Sequence, residues 1–159
     1  MLLAQREHSR AELRRKLMPM ARADVLAKAG EHADAAACGE AAAARVDTLL
    51  DWLTTHKYLS EERFVESRVH ARASRFGNRR IEQELSQHGV ALDATTRSTL
   101  RETEVARAKA VWSRKYDHPP ADSAERMRQM RFLTARGFSS DAVRQVVPKA
   151  KTPSKADAD

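Results

Sequence analysis

Residues 77–90 read Gly77-Asn-Arg-Arg-Ile-Glu-Gln-Glu-Leu-Ser-Gln-His-Gly-Val90. Asn78 is placed to cap a helix, Ile81 and Leu85 lie four apart on one face of it, and Gly89 stands where a left-handed C-cap closes it. The same ending returns 48 residues later as Leu133-Thr-Ala-Arg-Gly-Phe138. Each Leu-x-x-x-Gly is preceded by a long helical pattern and followed by a capped shorter one. A recurring order of this kind is the mark of tandem helical units.

Working outward, Ser60 can cap a helix to about Arg75 whose stripe is Val65, Val69, Ala73 and Phe76. Asp93 caps a helix toward Leu100, and Val105, Ala108, Trp112 and Tyr116 mark another that Pro119-Pro120 stops. Ser123 opens a helix bearing Met127, Met130 and Leu133, and Ser139 or Ser140 opens the last, with Val143, Val146 and Val147. Upstream, Val46, Leu49, Leu50 and Leu53 follow the spacing of a core-facing helix. Ser9 and Glu12 form a capping box over Leu13 and Leu17, for a short helix ending before Pro19. Residues 21–44 are half Ala and read as an insertion, and Ala21 occupies the place that Gly89 and Gly137 fill in the other units. The fold predicted is all-α: an elongated array of three tandem three-helix repeats, helix-turn-helix-like, over 1–57, 58–102 and 103–150, with a disordered tail at 151–159.

Composition agrees with helix and excludes other classes. The 159 residues hold 28 Ala but only five Gly and five Pro, too few turn formers for a barrel or sandwich. Aromatics at 5% require a core of Leu, Val, Met and Ala. The lone Cys38 can form neither an internal disulfide nor a Cys-based zinc site, which fits a reducing, cytoplasmic setting, and no apolar run is long enough to span a membrane.

Ser9-Arg-Ala-Glu-Leu-Arg-Arg-Lys-Leu17, Tyr58-Leu-Ser-Glu-Glu-Arg-Phe64, the stretch 77–89 and Arg131-Phe-Leu-Thr-Ala-Arg-Gly-Phe138 together resemble the RecX family, regulators of the bacterial RecA recombinase. The resemblance covers most of residues 2–147. Gln129 departs from it, standing where the family commonly has an aliphatic side chain, as does the Ala-rich insertion. It implies a helical repeat protein that lodges in the recombinase filament on single-stranded DNA and inhibits recombination and DNA repair in the SOS response. The partners implied are the filament and single-stranded DNA, met directly or through it. The acting species expected is a monomer, with repeat-swapped dimers open.

Residue chemistry points the same way. The glycines form no phosphate-cradling loop, the six His show no metal-ligand spacing, and Glu82 and Glu84 sit on different faces of their helix, so the chain is read as a non-enzyme without cofactor or metal. Formal charge is +7, and the spans 1–57, 58–102 and 103–159 carry +1, +1 and +5. Residues 67–81 hold Arg68, Arg72, Arg75, Arg79 and Arg80 with no acid, the first three on one helical face. These five, with Arg128, Arg131 and Arg136 in the last unit, are the candidate contacts to phosphate or an acidic surface. Arg107, Lys109, Arg114 and Lys115 read as more dispersed. Trp52, Trp112, Phe64, Phe132 and Phe138 read as core. The rival is a helix-turn-helix DNA-binding protein or transcription regulator; the absence of an evident dimerisation helix argues against it. A tetratricopeptide-type scaffold is disfavoured by repeat length.

Overall fold

The computed structural model describes residues 3–30 and 34–150, which form seven α-helices and no strand. These are α1 (Arg10–Ala29), α2 (Ala35–Thr55), α3 (Glu61–Ala73), α4 (Asn78–Gln87), α5 (Ala94–Ser113), α6 (Ser123–Ala135) and α7 (Ser140–Val146). They make two compact units: residues up to Ser67 with Ser86–Val90, and Arg68–Leu85 with residues from Ala91 onward. The disordered tail expected at 151–159 lies outside the described residues.

In the first unit α1 packs on α2 around Leu13, Val46, Leu50 and Leu59, with Leu17, Met18, Ala21 and Leu53 against them. Ser9 caps α1 as its spacing requires, its Oγ accepting from Glu12 N at 3.1 Å and donating to His88 O at 2.7 Å. The helix does not stop before Pro19. Proline removes one backbone donor but φ stays helical, and with Ala21 in the place of the terminating glycine nothing turns the chain. The helix runs on to Gly30, whose φ of 79° ends it. Thus the Ala-rich residues 21–29 extend α1 and 35–44 begin α2; the described part of 1–57 forms two long helices where three were expected. Leu49 is 44% exposed, because the α2 core face is Ala42, Val46, Leu50 and Leu53.

The second unit packs α5, α6 and α7 around Ala108, Val111, Leu133, Phe138, Ala142, Val143 and Val147. Asp93 caps α5 through Thr96 N at 2.8 Å. Two helices were expected between 94 and 116, but Arg101-Glu-Thr-Glu104 contains no breaker, and a single helix runs through it. Leu85 and Leu133 are both buried, and Gly89 and Gly137 both take positive φ, 73° and 82°, as the repeat demands. On α6 the buried residues are Gln129 and Leu133; Met127, expected inside, is 48% exposed. The Oε1 of the buried Gln129 accepts from Trp112 Nε1 at 2.9 Å, which satisfies one end of its amide, while Nε2 finds no partner among the described residues.

A candidate basic interface in the second unit

Two turns of the second unit touch through their backbones. Gly77, between α3 and α4, donates its N–H to Arg136 O at 3.0 Å, and Arg79 N donates to Gly137 O at 3.1 Å. A Cβ on Gly77 would overlap the Phe138 N and the carbonyl of Gly137, and one on Gly137 would lie 2.6 Å from Arg80 Cβ. Only glycine permits this approach. The turn after α3 and the turn after α6 are thereby fixed side by side.

Each turn has its own aromatic anchor. Over the half-buried Phe76 ring lie the guanidinium carbons of Arg72, Arg75 and Arg80, at 5.8, 5.7 and 5.1 Å from its centroid. Arg136 stands over Phe132 at 3.9 Å, and Lys115 Nζ shares that ring at 4.4 Å. Ring faces attract cations and hold their flexible stems in place, so several like charges are gathered with less loss of freedom on binding. Arg114 joins the group from the end of α5, donating to Ser74 O at 3.2 Å.

Of the eight sequence candidates, then, Arg72, Arg75, Arg80 and Arg136 converge, and Arg79 is exposed beside them. Residues 67–81 hold no acid, but the stripe has a counter-charge from outside them. Glu84, one turn beyond the window on α4, takes Arg68 at 3.3 Å and Arg72 at 2.9 Å, so two arginines of the stripe share one carboxylate, which offsets one of their two charges. Arg128 and Arg131 are exposed on α6, away from the buried Gln129 and Leu133. Arg126 lies on the half-buried side and donates to Pro148 O at 3.0 Å.

Sequence reasoning passed over several contributors. Arg114 and Lys115 were read as dispersed, although a basic pair just before Tyr116 at a helix end was a usable signal. Phe76 and Phe132, read as core positions, serve as platforms for cations; Phe132 and Arg136 stand i, i+4, the spacing that places a cation on a ring within one helix face. Glu104 and Arg107 were not singled out as a pair. Glu104 accepts from Asn78 N and Ser139, and Arg107 donates to Phe76 O at 2.9 Å and to Asn78 Oδ1, so the Asn78 side chain is an acceptor for Arg107 instead of a helix cap. Burial of Arg107 pulls its pKa below the usual value. Trp52, expected in the core, is 50% exposed and stacks on His56 and Tyr58 in the first unit.

Among the described residues no group of three or more His, Cys, Asp or Glu is disposed to hold a metal, and no helix is long and apolar enough to cross a membrane. Family models match in two places: the second three-helix domain of RecX over residues 60–94 and the third over residues 102–147. Among curated proteins, the regulatory protein RecX of Ralstonia nicotianae is 47% identical over 150 residues, covering 93% of this chain and 82% of its own. That of Leptothrix cholodnii is 47% identical over 147 residues, 91% and 82% of the two chains. The RecX of Salmonella newport is 38% identical over 153 residues, 91% and 84%.

Proposed function

The chain belongs to the RecX family of regulatory proteins, and from that premise we propose that it binds the RecA recombinase filament on single-stranded DNA and inhibits its work in recombination and repair. The observation that carries this reading is the joined pair of basic turns. Arg75 and Arg80 over Phe76, and Arg136 over Phe132, stand outside the Glu84 pairing that engages Arg68 and Arg72, on two turns whose backbones touch. Such a surface suits a polyanion or an acidic protein face, and a nucleoprotein filament offers both.

Arg79, Arg128 and Arg131 extend the contact, and Arg68 and Arg72 contribute through the charge they share with Glu84. The chain acts as a monomer in the cytoplasm, without chemistry of its own, by occupying filament surface that incoming subunits or the second strand need. The three-unit division 1–57, 58–102 and 103–150 is proposed with it. In that scheme α5 passes from the second repeat to the third as one helix.

Affinity for filament assembled on labelled single-stranded DNA, measured against salt, tests the reading. The parent chain should bind less tightly as salt rises. Arg75→Glu with Arg80→Glu and Arg136→Glu should bind more weakly and with a flatter salt dependence. A screen against duplexes serves as the control: tight, sequence-selective duplex binding without recombinase would overturn the proposal in favour of a transcription regulator.

A further inference from the structure

A single buried carboxylate lies behind the joined turns. Glu104, on α5, is 5% exposed. Its Oε1 accepts from Asn78 N at 3.1 Å and from Ser139 N at 3.2 Å, and its Oε2 accepts from Ser139 Oγ at 2.7 Å. Asn78 is the first residue of α4 and Ser139 caps α7. One side chain therefore ties together the starts of the two helices that follow the two basic turns.

The next turn of α5 acts with opposite polarity. Arg107 donates to Ala73 O at 3.3 Å, Phe76 O at 2.9 Å and Leu100 O at 2.9 Å, and to Asn78 Oδ1. It thus satisfies carbonyls left open at the end of α3, while Glu104 satisfies donors left open at the starts of α4 and α7. The direct backbone bonds between the turns are only two, Gly77 N to Arg136 O and Arg79 N to Gly137 O. Two bonds fix a distance but constrain relative rotation weakly. A third tie from a side chain on a separate helix removes that freedom.

We propose that Glu104 is the positioning residue of the basic surface, holding the α3–α4 turn in register with the α6–α7 turn so that Arg80 and Arg136 meet one ligand together. This rests on the reading that the surface binds the recombinase filament. Glu104 touches no ligand; its effect passes through the arginines. Its direct hydrogen-bond partners are two backbone N–H groups and a hydroxyl, none of them a cation, while the charge of Arg107 acts on it from the next turn of α5, so the tie itself rests on hydrogen bonding. Glutamine can keep its Oε1 on the two backbone N–H groups and direct its amide N–H to Ser139 Oγ.

A double-mutant cycle on the full chain, read as affinity for RecA filament on single-stranded DNA and its salt dependence, tests this. Glu104→Ala should weaken binding about tenfold and flatten the salt dependence to that of Arg80→Gln with Arg136→Gln. Added to that arginine pair it should cost little more. Added to Arg128→Gln with Arg131→Gln it should cost its full factor. Glu104→Gln should restore binding to within about threefold of the parent. Ser139→Ala, which removes one of the three bonds together with the cap of α7, should shift binding in the same direction by less, and only in the Arg128→Gln with Arg131→Gln background; that comparison carries the test if Glu104→Ala does not fold. Equal losses in both arginine backgrounds, or a weakened affinity with the salt dependence of the parent, would reduce Glu104 to a purely structural residue and overturn the proposal. An Arg80 and Arg136 pair whose removal leaves affinity unchanged would overturn both it and the reading it rests on.

Discussion

Gly77 and Gly39 show how differently the same residue type is used. A methyl group on Gly77 would meet backbone atoms of Gly137 and Phe138, which cannot move aside as a side-chain tip can. Gly77→Ala should therefore cost at least ~3 kcal/mol in denaturant unfolding, beyond the usual overpacking range. Gly39 lies inside α2 with nothing within 4 Å of the added Cβ, so Gly39→Ala should stabilise by about 0.5–1 kcal/mol. Glu12 makes a pH prediction. Burial works to raise its pKa, but the hydrogen bonds of Arg6 and Lys16, with the charge of Arg6, overcome it and lower the pKa to about 2. A depressed carboxyl stabilises fully above its unfolded value of 4.5, and the contribution is lost as pH falls from there toward 2. That loss, roughly 3 kcal/mol at most, should show in acid unfolding of the parent and be largely absent in Glu12→Gln. Charge counting found the arginines themselves at this scale. It could not find Glu84, because a helix pair brings together residues 12 and 16 apart that no local window joins.

Helix α1 is the element where local signals and outcome part. Capping by Ser9 and burial of Leu13 were written in the sequence, yet Pro19 looked like an end and is an interior residue, and the stop falls at Gly30. The donor it lacks is a local defect, tolerated because the α1–α2 core of Leu13, Val46 and Leu50, with Met18 and Ala21 against it, continues past it. Pro19→Ala should restore the missing bond and raise stability by about 1–3 kcal/mol, read as an increased unfolding midpoint with unchanged helix content at the start. The contrast with α4 and α6 is instructive. There Gly89 and Gly137 supply the positive φ that ends a helix, and the expected C-terminal boundaries hold, although α4 begins at Asn78 itself and α6 is capped by Asp122, one residue before the Ser123 expected; where Ala21 replaces glycine, the helix continues. Leu85→Ala and Leu133→Ala should each cost ~2 to 5 kcal/mol, since both side chains are buried equivalents of one repeat. Capped helices and Leu-x-x-x-Gly endings were legible. The fusion across 101–104 was not, because nothing local distinguishes a polar helical stretch from a polar link.

For the whole molecule, the excess of positive charge is less informative than its arrangement. Sequence spans assigned +5 to the last third, but the structure brings the turn that carries the 72–80 arginines against the turn that carries Arg136, with Lys115 over the same ring as Arg136, across a glycine contact. That juxtaposition is non-local, which is why the residues were named from sequence while their convergence was not. Recombinase ATP hydrolysis on single-stranded DNA, titrated with the parent chain and with the Arg75→Glu, Arg80→Glu, Arg136→Glu variant, tests the account most directly. The parent should suppress hydrolysis and shorten filaments, while the variant, with the helicity and melting of the parent, should need at least about tenfold more protein for the same effect. Equal suppression by a folded variant at the same concentration would contradict it.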